Sequence, residues 1–458
     1  MMRLSEAARA TGGSVSGPDL EFIAVGTDTR TLQRGALFVA LKGPRFDGHD
    51  FVRQALAAGA GAALVDAAMS NEALGVPSDA PLLRVPDPLK ALGALAAYWR
   101  GKFELPLIAV TGSNGKTTVK EMIASILRAQ TGSAETVLAT EGNLNNDIGV
   151  PLMLLRLRST HRYAVIEMGM NHPGEIAYLT RLASPTVAVV NNAQAAHLEG
   201  MGSIEAVARE KGSIYDGLGA DGVAVVNADE YFAELWRGLN AARRVVDFGL
   251  DQTAAVSGSH VLLADGARLE IKLPQETIAV HLQLSGQHNV RNALAASAAA
   301  VAVGMPATAI QYGLEHFRGV KGRLQRKAVL HGATLIDDTY NANPGSMRAA
   351  IDVLAQQPGK RILVLGDMGE LGAEAAALHA EIGAYARERG IDCLFCLGDM
   401  SRHCMQAFGA NAWHFERIQE LLADLENRLA PEVTVLVKGS RFMQMERVVK
   451  SFEITVQA

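Results

Sequence analysis

The chain reads as an α/β protein of three domains: a small N-terminal α/β domain, a central domain with a mostly parallel sheet and a phosphate-binding loop, and a C-terminal Rossmann-like α/β domain. Three observations predict this. Its 458 residues exceed what one hydrophobic core ordinarily supports. Short apolar runs alternate with helical stretches, the pattern of parallel strands covered on both faces. One such run leads straight into a glycine loop and a helix, VTGSNGKTTVKEMIASILRAQ over residues 110–130.

The elements follow in order. In residues 1–104, FIAVGTDTR and ALFVALKG are strand-like, and FVRQALAAGAGAALV (51–65) reads as an alanine-rich helix. PLLRV and the helical LKALGALAAYWRGK come next, and Glu104-Leu105-Pro106 marks a boundary. Residues 105–318 open with PLIAV and the glycine loop. RYAVIEMG, TVAVVNN and DGVAVVN are further strands, and HLQLSGQHNVRNALAASAAAVAVG is a strand, a turn and a long helix. In residues 319–458, ATLIDDTY, KRILVLGDMGELG, CLFCLGD and VTVLVKGS predict a second open sheet. Ligands sit at the carboxyl ends of such strands. No short-period repeat or low-complexity tract interrupts the pattern.

Composition excludes several classes. Apolar residues make up 49% and charged residues 20%, an ordinary globular balance, and the net charge of −5 argues against a general nucleic-acid or acidic-membrane binder. MMRLSEAARATGG lacks the apolar core of a signal peptide, and no apolar run reaches the roughly 18–20 residues of a membrane span. A cytoplasmic monomer is expected. Cys393, Cys396 and Cys404 form no disulfide framework. Cys393-Leu-Phe-Cys396 has a metal-like spacing, but on a strand residues three apart face opposite ways, so a buried structural role is expected.

The loop carries the chemistry. A common phosphate loop has four residues between its first glycine and its Gly-Lys pair. Here only Ser113 and Asn114 separate Gly112 from Gly115-Lys116. The physics survives the shorter spacing. Small residues admit backbone N–H groups to phosphate oxygens, and the helix N-terminus faces the anion. Lys116 supplies a point charge, and Thr117 follows it with a hydroxyl placed to ligate Mg²⁺. Glu167 ends the run RYAVIE on the same sheet edge as the loop. A buried carboxylate there wants a partner, either a cation or a capping donor. His197 also follows an apolar run, although a lone histidine is by type an ordinary structural residue.

Together these residues resemble the Mur ligases, the amide-bond ligases of bacterial peptidoglycan synthesis, a family that includes folylpolyglutamate synthetase. The family's loop is typically TG(T/S)NGK(T/S)T, so TGSNGKTT is its ordinary form, and the likeness spans the whole chain. TDTRTLQRGALFVALKGPRFDGHDF (27–51) resembles the family's uridine-nucleotide domain. GNLNNDIGVPL (142–152), DDTYNANPGSM (337–347) and VLGDMGELG (364–372) resemble the branch that adds D-alanyl-D-alanine. The Asp-Asn-Pro-Arg motif of the diaminopimelate-adding branch is not found. The resemblance implies ATP-dependent joining of D-alanyl-D-alanine to UDP-N-acetylmuramoyl-tripeptide through an acyl phosphate, with ATP and two Mg²⁺. Another amide ligase, or an ATPase without ligase chemistry, is the alternative.

The resemblance also implies roles. Gly112 to Thr118 hold phosphates, with Lys116, His197 and Lys211 catalytic. Glu167 and His197 hold magnesium with Thr117. Lys211 in REKGSIY matches a commonly carbamylated lysine that supports a second Mg²⁺. Asn289 and Asn292 lie on the adenine side. Arg323 and Asp338 reach ATP on domain closure. Asn143, Asn145, Asn146 and Asp147 lie near the muramoyl-peptide, and Thr27, Asp28, Thr29 and Arg30 near the uridine nucleotide. Asn341, Asn343 and the loop after Gly366 are positioned for the dipeptide.

Overall fold

The structure, a computed structural model, describes residues 1–194 and 198–454. The N-terminal sheet runs in the order Ser14–Ser16, Leu82–Val85, Ala62–Asp66, Leu37–Val39, Val25–Gly26, parallel except for its first pair. This corrects one expectation. Residues 51–65 are not one helix: the helix is Val52–Ala57, and Ala62–Asp66 is an interior strand. Glycines decide it. Gly59 sits at φ +99°, and a Cβ on Gly61 would lie 3.0 Å from the Gly35 carbonyl oxygen, so the chain turns and pairs there. Beyond the turn, Ala62 and Leu64 enter one core and Ala63 and Val65 another, the two-residue period of a strand.

The helix Pro88–Arg100 starts as its sequence dictates, with Asp87 accepting from the Leu89 and Lys90 amides at 3.0 and 3.1 Å and Pro88 in the first turn. Its buried Leu92, Leu95, Ala96 and Trp99 share one core with Ile176 and Leu179 of the central region. Trp99 Nε1 donates to the Leu157 carbonyl at 3.1 Å and Arg100 Nε to that of Ala183 at 3.0 Å. The N-terminal region is therefore fixed to the central one through a shared apolar interface.

The central sheet is parallel throughout, ordered Arg244–Phe248, Val223–Asn227, Val187–Val190, Leu107–Thr111, Tyr163–Glu167, Val137–Ala139. The strand before the glycine loop lies inside it, buried on both faces, which explains its unbroken apolar run. Ile108 and Val110 pack towards the helices Lys116–Thr131 and Gln287–Ala302, while Leu107 and Ala109 face the core shared with the N-terminal region. A feature beyond the sequence expectation is a three-stranded antiparallel sheet, Ser257–Leu263, Gly266–Lys272 and Thr277–Leu282, whose alternate residues cover the helix Gln287–Ala302.

The C-terminal sheet is ordered Gln325–Ala328, Thr334–Asp338, Val433–Lys438, Lys360–Gly366, Cys393–Leu397, Ala412–Phe415, parallel but for its first strand. Cys396 and Cys404 lie in one of its apolar cores and Cys393 in the other. Cys393 and Cys396 therefore face opposite sides of the sheet, too far turned from one another to share a metal.

Candidate active site

The glycine loop joins Leu107–Thr111 to the helix Lys116–Thr131 as expected. Gly115 occupies the N-cap at φ +78°, and a Cβ there would meet Asn292 Oδ1 at 2.4 Å and Asn191 Nδ2 at 2.7 Å. Only glycine fits. Lys116 Nζ donates to the Gly112 carbonyl at 2.7 Å, and the surrounding protein holds its ammonium below its usual value, against the pull of Glu167. The loop is built on amides. The Asn114 amide N–H donates to Asn192 Oδ1 at 2.8 Å, and the Asn114 carbonyl accepts from Asn191 and Asn192, each at 3.0 Å. Asn191 Nδ2 also donates to Asn292 Oδ1 at 3.1 Å, and Asn292 Nδ2 to Asn289 Oδ1 at 3.1 Å. The expected adenine-side asparagines are thus physically wired to the loop. Sequence reading passed over Asn191, Asn192 and Gln194, although the run VAVVNN ends beside the loop strand.

Glu167 is 2% exposed and sits at the end of its strand on the loop's edge of the sheet. Asn145 Nδ2 donates to Glu167 Oε1 at 2.8 Å. Glu167 Oε2 is buried with no hydrogen-bond partner. A carboxylate oxygen left unpaired beside a phosphate loop fits a cation better than a structural cap. Among the described residues no three His, Cys, Asp or Glu side chains cluster as a complete metal cage. A phosphate-bound Mg²⁺ needs none, because it takes one or two carboxylates and leaves the rest to phosphates and water. His197 lies outside the described residues. Lys211, on the helix Ile204–Gly212, is 1% exposed, and burial, followed by the charge of Lys116, pushes its ammonium well below the ordinary value.

A cleft of about 920 Å³ opens between the central and C-terminal regions. It gathers Ser113 to Lys116, Thr118, Asn145 to Asp147, Glu167, Asn289, Asn292, Arg323, Asp338, Asn341 and Asn343 from the sequence reading. Gly112 and Thr117 lie behind this surface. Arg323 crosses from the C-terminal side: its Nη2 donates to Thr117 Oγ1 at 2.9 Å, and its guanidinium lies 4.3 Å from the Tyr340 ring centre. Asp338 pairs with Lys438 at 2.6 Å; burial raises its carboxyl against that partner's pull. Asn143 is exposed and outside the cleft, and Asn146 Oδ1 accepts from the Gly149 amide at 2.8 Å, closing a turn.

Thr27, Asp28, Thr29 and Arg30 also lie outside this cleft, in the N-terminal region. There Arg30 pairs with Asp28 at 2.6 Å; hydrogen bonds from its side chain and backbone lower the carboxyl to about 2. At the cleft's other end stands a group that the sequence did not single out. Asp229 accepts from the amides of Leu250, Asp251 and Gln252 at 2.8, 3.0 and 2.9 Å, and Arg291 bridges it to Asp251. Burial raises the neighbouring Glu230 to about 7 and lowers His288 to about 4, so that imidazole is neutral. His288 and Arg291 lie within GQHNVRN, between and beside the asparagines already marked.

Known proteins resemble this chain over nearly its whole length. Residues 110–300 match the Mur ligase middle domain, 322–441 the Mur ligase glutamate ligase domain, and 21–100 the Mur ligase family catalytic domain. The chain belongs to the Mur ligase family. Among individual Mur ligases, the UDP-N-acetylmuramoyl-tripeptide–D-alanyl-D-alanine ligase of Escherichia coli K12 is 44% identical over 98% of both chains. That of Bacillus subtilis 168 is 36% identical over 97% of this chain and 96% of its own. A crystal structure of MurF from Acinetobacter baumannii superposes with a TM-score of 0.91 at 37% identity, covering 98% of this chain and 99% of that one. The MurF ligase of Thermotoga maritima, solved with ADP, gives 0.81 at 27% identity over 93% and 96%. The three-domain α/β architecture and the family read from TGSNGKTT are both borne out.

Proposed function

We propose that this Mur ligase joins D-alanyl-D-alanine to the terminal carboxylate of UDP-N-acetylmuramoyl-tripeptide, converting ATP to ADP and phosphate in peptidoglycan synthesis. The observation that carries the reading is the cleft itself. A phosphate loop, an unpaired strand-end carboxylate and the strand-end loops of a second α/β domain meet there, and relatives over nearly the whole length are named for this reaction.

The substrate carboxylate attacks the γ-phosphorus, ADP departs, and the acyl phosphate forms. The dipeptide amine then attacks the acyl carbon, the tetrahedral intermediate collapses, and phosphate leaves with the amine proton lost to solvent or base. The protein supplies position and charge. Lys116 offsets charge where one anion meets another. Arg323, held over Tyr340 and against Thr117, brings a second cation from the C-terminal side. Asn289 and Asn292 fix the adenine end. Glu167 and Thr117 would hold Mg²⁺ with His197, and a carbamylated Lys211 would hold a second. Bound there, the metal supplies Lewis-acid neutralisation of the phosphates. A buried amine held below its usual value is the neutral form that carbon dioxide carbamylates.

In this reading residues 1–104, with Thr27 to Arg30, take the uridine nucleotide. Residues 105–318 take ATP and, through Asn143 to Asp147, the peptide. Residues 319–458 exclude water and present the dipeptide side, with Asn341 facing the cleft. The enzyme acts as a monomer in the cytoplasm; among the described residues no helix is long and apolar enough to cross a membrane.

The test is ADP release over a panel of UDP-muramoyl-peptides and amino acceptors. Release should require both a tripeptide and D-alanyl-D-alanine, and the panel identifies the third residue. Release without any acceptor would favour an ATPase, and release with glutamate alone a polyglutamate-type ligase.

A further inference from the structure

The contact between the C-terminal helix Pro344–Ala355 and the phosphate loop is more specific than domain packing requires. Asn343 is that helix's N-cap. Its Oδ1 accepts from the Ser346 amide at 2.9 Å, and the Ser346 hydroxyl accepts in return from the Asn343 amide at 3.0 Å, a reciprocal capping box. The other end of the same side chain leaves the domain: Asn343 Nδ2 donates to Asn114 Oδ1 at 2.8 Å. Asn114 is fixed in turn. Its Nδ2 donates to Gln194 Oε1 at 2.7 Å, its backbone N–H to Asn192, and its carbonyl accepts from Asn191 and Asn192. Gly345 completes the fit, since a Cβ there would stand 2.7 Å from Gln194 Oε1 and 3.4 Å from Asn114 Nδ2. A side chain at that residue would push the Gln194 amide aside.

We propose that Asn343 is a positioning residue rather than a dipeptide ligand: its amide sets the seat of the C-terminal domain on the phosphate loop, so that Arg323 and the strand-end loops come into register with the phosphoryl group when Asn114 is in its phosphate-binding conformation. The inference deepens the ligase reading and rests on it for its kinetic consequence. Asn343 is suited to the task because its oxygen fixes it to its own helix, accepting also from Asn114 Nδ2 at a long 3.4 Å, while its N–H reads the other domain. Its side chain is thereby used on protein partners. Asn114, in the middle of the loop, is the residue whose displacement would tell the C-terminal domain that the loop is not set.

The experiment separates capping from latching. Serine caps helices as well as asparagine but is too short to reach Asn114. Asn343→Ser should therefore melt within about 2 °C of the parent. Its kcat should fall about three- to tenfold, the worth of one hydrogen bond, with KM for the dipeptide changed less than about twofold. Asn114→Ala should show the same kcat loss, and the double variant no more than the larger single loss. Asn343→Asp, which caps but presents an acceptor to Asn114 Oδ1, is the second probe should the serine variant fold poorly. Small-angle scattering with ADP bound should show a wider particle for both Asn343 variants than for the parent.

Unchanged kcat and scattering in a folded Asn343→Ser, multiplied losses in the double variant, or a loss confined to dipeptide KM would overturn the proposal. The last would return Asn343 to the dipeptide site. If the parent itself shows no dipeptide-dependent turnover, the ligase reading fails, while the scattering comparison still decides whether the seat exists.

Discussion

Single residues here have work that their neighbours reveal. Glu167 would be costly as a bare buried carboxylate; its Oε2 has no hydrogen-bond partner, and the residue lines the cleft that holds the phosphate loop. Glu167→Gln keeps the shape and the bond from Asn145 but removes the charge. Dipeptide-dependent ADP release should fall about a hundredfold or more, the range seen when one preorganised electrostatic group is lost. The remaining activity should need more Mg²⁺, which a metal titration reads. Lys116→Ala should abolish turnover, because the loop's backbone donors bind phosphate without supplying a full charge; near-normal ADP release would sink its assignment.

Lys211 gives the opposite pairing of stability and function. Its folded ammonium is held well below the ordinary 10.5 by burial and by Lys116, so the unfolded chain binds the extra proton. Stability contributed at this site therefore rises with pH between the depressed folded value and 10.5. Lys211→Met should melt higher than the parent at pH 7 in carbon-dioxide-free buffer, with the gap closing as pH rises, and should lose ligase activity. A lower melting temperature would mean that the lysine is stabilising as a cation.

At the scale of elements, the helix Lys116–Thr131 must be held rigidly, since its N-terminus aims the phosphate loop. It is braced by Ala307–Glu315, where Gly313 lies against Ile126: a Cβ on Gly313 would sit 2.4 Å from the Ile126 Cα. Ser125 Oγ donates to the Gly313 carbonyl at 2.7 Å. Gly313→Ala gains helix propensity but overpacks this contact, so a net loss of about 1–3 kcal/mol is expected by denaturant unfolding. If propensity won instead, the variant would be more stable by up to about 1 kcal/mol. The alanine-rich segment 51–65 shows the same balance from the other side. Alanine reads as helix, yet Gly59 and Gly61 turn the chain, and Ala62 and Ala63 become strand because two cores lie on either side.

Across the whole molecule, two sheets bring their carboxyl edges to one cleft. Arg323 crosses to it from the C-terminal region, hydrogen-bonded to a residue 206 positions away. Arg323→Ala should lower kcat about tenfold or more while leaving binding of the UDP-substrate, read by calorimetry, within about twofold, as expected for a charge that acts at the transferred phosphoryl group. Equal losses in nucleotide-substrate affinity would place Arg323 elsewhere in the mechanism.

The sequence by itself determined the strands that end in chemistry. Leu107–Thr111 and Tyr163–Glu167 are buried on both faces, so their apolar runs are unbroken and their terminal polar residues stand out. The glycine loop was equally plain, because small residues, a lysine and a hydroxyl between a strand and a helix suit a phosphate. Other features were invisible locally. Asn191, Asn192 and Gln194 matter only because parallel pairing lays their strand beside the loop strand. Asp229, Glu230 and Arg291 act together across 62 residues of chain. Asn343 is a dipeptide candidate by sequence position, and only the fold shows Asn114 within its reach. Amide-to-amide bonds carry no periodicity and no charge pattern, so tertiary structure alone decides them.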